Sequence, residues 1–226
     1  GFLLSAAQIG GVCLPVALAL TAALPFSLAA VFAYAGAALG YFAFWGATGA
    51  VEPVAAGFLI LAASRLFHDV IPASRRWFFP LLSSGIYALT ALIFLLSAPV
   101  HTKAICIFAG KSALVCLCTY LFAGLPEKRA ESIAALGFGL LLSGSRLLLL
   151  PGLPLSVILS GCAVFLCSGM REFWLASGVC AVALDLSFRP GYSAGAMLFL
   201  ASLTCHYLKP RFAILRACVY FLVLAL

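Results

Sequence analysis

AICIFAGKSALVCLCTYL, residues 104–121, carries a single charge, Lys111. As a helix this stretch runs about 27 Å, close to the thickness of a bilayer's hydrocarbon core. Apolar runs of similar length recur from one end of the chain to the other. Of the 226 residues, 65% are hydrophobic and 8% are charged, and the mean hydropathy is +1.22. So few charges cannot furnish the polar shell of a soluble domain. The alternating ten-residue segments of a membrane barrel are not seen. The chain reads as all-α, a polytopic transmembrane helical bundle with short loops.

Outward from 104–121, the hydropathy predicts about ten spans: Phe2–Leu24, Leu28–Trp45, Pro53–Phe67, Phe78–Leu96, Ala104–Ala123, Ile133–Leu150, Leu155–Met170, Glu172–Phe188, Ser193–Leu208 and Phe212–Leu226. Pro15 interrupts the first. Short connections make sequential helices antiparallel neighbours. Residues 1–226 form one transmembrane domain with no room for a soluble one. Gly1 opens without an initiator Met, a basic leader or a cleavage pattern, so the chain reads as a segment of a longer polypeptide.

The formal charge of +7 suggests topology, not nucleic-acid binding, because Lys and Arg gather in short loops. If the loop holding Arg75 and Arg76 is cytoplasmic, the same side gains Arg65, Lys128, Arg129, Arg171, Lys209, Arg211 and Arg216. The other side holds Lys103, Arg146 and Arg189. This asymmetry fits the positive-inside rule. It puts Gly1 outside unless the first run is re-entrant or interfacial.

Nine Cys, most of them inside apolar runs, read as small, soft packing residues. Cys116 and Cys118, two apart on a helix, point away from each other and cannot share a metal. Gly36 and Gly40 in GAALG form a small-xxx-small pair. It suits close packing of helices within the chain, and could also serve self-association.

Candidate chemistry is sparse. Glu52, Asp69, Glu127 and Glu131 fall in loops or at helix starts, and no two carboxylates sit together deep in a span. No HExxH, P-loop, GxSxG or GxGxxG occurs, and no catalytic, cofactor-binding or metal-binding residue is assigned. Lys111 is the intramembrane polar candidate. It either serves a function at mid-span or snorkels to the interface from a helix that begins near Phe108. Asp185 and Arg189, four apart and just before Pro190-Gly191, read as a paired rim at a helix end. Arg75, Arg76, Lys128 and Arg129 are the other topology and rim candidates.

GGVCLPVALALTAALP (10–25), AGAALGYFAF (35–44), VEPVAAGFLILAASRLF (51–67), FAGLPEKRAES (122–132) and VALDLSFRPGYSAGAMLFLASL (182–203) together resemble the membrane region of the stage II sporulation protein E family. Two departures stand out. LPVALAL lacks a Phe-Gly pair found in the family, and AVEPVA has Glu and Pro where an aromatic is usual.

The resemblance implies a bacterial multi-pass membrane protein at the polar septum. It implies a cytoplasmic C-terminal serine phosphatase domain of the 2C type, dependent on manganese or magnesium and not part of this sequence. That domain's substrate is a phosphorylated anti-anti-sigma factor, whose dephosphorylation activates the forespore sigma factor. The membrane segment then anchors, localises and assembles. Its partners are the lipid bilayer, further copies of itself and cell-division proteins. The alternative is a small polytopic transporter or substrate-binding bundle using Lys111 and Asp185.

Overall fold

The computed structural model describes residues 1–67, 77–97, 101–125, 130–144, 148–150, 153–154, 156, 159–160, 162, 173–187 and 194–207. These residues are mostly helical and fall into two compact units. One holds Gly1–Ala7 and Cys13–Gly139; the other holds Gln8–Val12 and Leu140–Leu226.

The first apolar run does not form the single helix expected over Phe2–Leu24. A 3-10 turn, Leu3–Ala6, leads into a hairpin of β1 (Gln8–Ile9) and β2 (Val12–Cys13). Gly10 and Gly11, at φ +56° and +80°, form a two-residue turn in which both positions need the left-handed region. The Leu14 N–H donates to the Ala7 carbonyl at 3.0 Å. Helix α1, Val16–Ala23, follows, and only its eight residues are helical. Pro15 precedes it. At the far end Leu24 is extended, as a residue before proline prefers, and Pro25 stops the helix.

Most of α1 is buried, as are Ser5, Ala6, Ala7 and Leu14. Irregular backbone at membrane depth is tolerated only when protein covers it. Here α1 packs against the three long helices that follow.

Those helices are α2 (Leu28–Phe67), α3 (Phe78–Leu96) and α4 (Thr102–Phe122). They are the described helices long and apolar enough to cross a membrane. Ten spans are therefore not what the described residues show. Ser27 caps α2, its Oγ accepting from the Ala30 N–H.

Gly46 breaks α2, with φ +68° and ψ −178°. The Tyr34 hydroxyl donates to the Val54 carbonyl at 3.0 Å. A continuous helix would hold residues 34 and 54 about 30 Å apart. The element is thus two arms, 28–45 and 47–67, folded back on each other. The second begins six residues before the expected Pro53.

Helix α3 antiparallels the second arm: the Phe67 and Phe78 rings meet at 5.7 Å at one end. Helix α4 antiparallels α3. Trp77 stacks on Tyr120 at 4.3 Å, and the Ser84 hydroxyl donates to the Ser112 carbonyl. Outward faces carry exposed large apolar side chains such as Phe32, Leu66, Leu81 and Leu89. That surface suits lipid, not water.

The GAALG pair is filled from within the chain. A Cβ at Gly40 would fall 2.0 Å from Ser5 Oγ and 2.7 Å from the Phe2 carbonyl oxygen. Trp45 Nε1–H donates to the Ser5 carbonyl at 2.9 Å.

Helix α5, Ala130–Gly144, ends six residues before the expected Leu150. An antiparallel pair, β3 (Leu148–Leu150) and β4 (Leu153–Pro154), follows. In the second unit α6 (Phe173–Ser187) packs on α7 (Ala194–Tyr207), with Cys180, Leu184, Leu198 and Ala201 buried. Most of Leu155–Met170 and all of Phe212–Leu226 lie outside the described residues.

Candidate functional site

Three helices of the first unit bring a carboxylate, an ammonium and a phenol together. Lys111 Nζ lies 3.5 Å from Glu52 Oε1. The Tyr87 hydroxyl donates to the same Oε1 at 2.5 Å.

Helix α4 begins at Thr102, not near Phe108, so Lys111 sits about 14 Å from the nearer helix end. Its ammonium turns inward to Glu52, and the snorkelling alternative does not describe it. Tyr87 is at the middle of α3 and is buried. Glu52, placed by sequence at a helix start, lies inside the second arm of α2, because the helix starts at the Gly46 bend and not at Pro53. Pro53 has no N–H to donate to the Gly49 carbonyl four residues back, so the helix is weakened just where it carries the carboxylate.

A lone charge at the bilayer centre costs about 2.5–3.5 kcal/mol on insertion scales. Opposite charges from two helices reduce that cost and fix the helices' register. The side chains of Lys111 and Glu52 are 18% and 24% exposed, so the pair is not sealed. Neither group has a further protein partner among the described residues.

The surroundings are built from the broken first run. Tyr41 is fully buried, and its hydroxyl donates to the Leu14 carbonyl at 3.4 Å.

In the second unit, Asp185 Oδ1 accepts the Gly195 N–H at 2.8 Å. The carboxylate thus caps the start of α7 from the last turns of α6, a favourable place for negative charge. A Cβ at Gly195 would lie 2.3 Å from the Ala181 carbonyl oxygen and 2.6 Å from Asp185 Oδ2. Only glycine admits this approach. Arg189, Arg75, Arg76, Lys128 and Arg129 lie outside the described residues.

Sequence reasoning singled out Lys111 and missed its partners. Glu52 had a signal: AVEPVA is apolar on both sides of the Glu, with none of the polar residues that mark the other loops. Two opposite charges in otherwise uncharged runs are natural partners. Tyr87 had none, being one phenol among many aromatic residues.

No family model, curated protein or solved structure matches this chain.

Proposed function

We propose that the chain is the membrane-anchoring, localising and assembly module of a sporulation serine phosphatase. In this reading the phosphatase acts on a phosphorylated anti-anti-sigma factor to activate the forespore sigma factor, and the bundle holds it at the polar septum of a bacterial cell membrane. The observation that carries the reading is the Glu52–Lys111 pair: the two mid-span charges turn toward each other and join separate helices, while the outer faces stay apolar. A durable scaffold in lipid is built this way. The sporulation assignment draws on the resemblance of residues 10–25, 35–44, 51–67, 122–132 and 182–203. Manganese or magnesium belongs to the absent phosphatase domain, and the septal partners to the assembled protein.

The test is the size and activity of the native polypeptide, detected in source membranes with an antibody to FAGLPEKRAES. A mass several times 23.6 kDa, with manganese-dependent phosphatase activity in the same band and unchanged by Lys111→Ala, supports the reading. A mass near 23.6 kDa contradicts it.

The partial exposure of Lys111 and Glu52 favours a second reading, a small transporter or substrate-binding bundle. Its polar groups are then Lys111, Glu52 and Tyr87 of the first unit, with Asp185 occupied in capping α7. Loss of solute uptake on Lys111→Ala supports it.

A further inference from the structure

The valences left over at the mid-span pair define a ligand. Lys111 has three N–H donors and one carboxylate neighbour. Glu52 uses one oxygen, Oε1, for both the Lys111 ammonium and the Tyr87 hydroxyl. Its other oxygen, Oε2, and the remaining donors of Lys111 meet no protein group among the described residues. Polar groups left unmet at membrane depth are costly, so something must meet them. Both side chains retain some exposure, so the pair is not closed off by protein.

The charge of that solute follows from the charge of the pair. Lys111 and Glu52 sum to zero. An anion alone or a cation alone would bring an uncompensated charge to the middle of the bundle. A solute with both signs adds none. Its negative end would accept from the spare Lys111 donors, and its positive end would donate to Glu52 Oε2. The 3.5 Å gap between the two protein charges suits a molecule whose own charges are separated by only a few bonds. We infer that Lys111, Glu52 and Tyr87 form a binding site for a small zwitterion of the α-amino-acid type. Tyr87 positions the carboxylate by holding Oε1, which leaves Oε2 for the ligand. The inference shares with the second reading above only the premise that a solute reaches the pair. It requires no transport.

The test is equilibrium binding of single neutral amino acids to the whole chain in lipid nanodiscs, at up to about 10 mM, above the usual range of substrate sites. Propionate and ethylamine serve as single-charge probes. Solute uptake is measured separately in vesicles, so a bundle that binds without transporting is recognised as such. The expected result is saturable binding of at least one amino acid. Its affinity falls on the order of tenfold or more in Lys111→Gln and in Tyr87→Phe, and is unchanged in Asp185→Asn. The single-charge probes bind on the order of tenfold more weakly. Tyr87→Phe keeps the ring, so its folding is checked by elution and melting, and it reports on the site if Lys111→Gln does not fold. Three results would overturn the inference: no saturable binding of any neutral amino acid, equal binding in folded Tyr87→Phe, or propionate binding as tightly as the amino acid.

Discussion

Tyr34 and Val54 are twenty positions apart in one helical element, yet the Tyr34 hydroxyl donates to the Val54 carbonyl at 3.0 Å. This contact requires a reversal at Gly46. The arms lie close enough that a Cβ at Gly57 would sit 2.8 Å from the Tyr34 ring. A chain with Tyr34→Cys and Val54→Cys, its native cysteines replaced, should be joined internally by a bis-maleimide spanning about 10 Å. A straight helix places the two positions about 30 Å apart. Failure of the link in membranes would remove the hairpin.

Gly46 should resist substitution. Its φ of +68° with ψ near 180° belongs to a region open almost only to glycine, where other residues lose about 1–3 kcal/mol. Gly46→Ala should lower the melting temperature in detergent by several degrees, whereas Gly85→Ala, in open space on α3, should leave it unchanged or raise it. Equal melting of the two variants would contradict the strain.

Gly40 should fail for a different reason. It is helical, and what excludes a side chain is the N-terminal segment: Ser5 Oγ and the Phe2 carbonyl. Gly40→Val should displace residues 1–7 from α2, exposing Trp45, whose indole N–H bonds Ser5. Its fluorescence should shift to the red, and the N-terminal segment should become open to proteolysis. An unchanged spectrum and cleavage pattern would show that the segment is held elsewhere.

Much of this arrangement was legible in the sequence. The runs at 78–96 and 104–123 predicted α3 and α4 nearly residue for residue, because an apolar run bounded by charged or polar loops has one reading in lipid. The break in the first run was less legible. Pro15 and Gly10-Gly11 announce it, but hydropathy averages over them and reads one span from 2 to 24. The start of the second α2 arm was misread for the opposite reason. Pro53 signals a helix start, yet here it lies inside the arm, and the true boundary is a glycine that hydropathy does not register. The site was half legible. Lys111 stood out as a lone charge in an apolar run, while Glu52 was hidden by the proline beside it.

Asp185 caps α7 through the Gly195 N–H. Asp185→Ala should destabilise the α6–α7 pair by about 0.5–2 kcal/mol, the usual worth of such a cap, while Asp185→Asn, which still offers an oxygen, should lose less. Gly195→Ala should be worse than either, because its Cβ meets the Ala181 carbonyl oxygen. Hydrogen exchange at residues 195–198 reads the order directly, and faster exchange in Asp185→Asn than in Asp185→Ala would contradict it.

The central claim is that Glu52 and Lys111 are partners at mid-span. A double-mutant cycle tests it most directly: Glu52→Gln, Lys111→Met and the two together, each unfolded reversibly in the same detergent. Removing one partner of a buried pair strands the other charge and costs about 3–5 kcal/mol. The account predicts that each single change costs on that order and that the double variant is more stable than the sum of the two losses allows, with a coupling of at least about 1 kcal/mol. Losses that simply add would mean that the two charges do not meet.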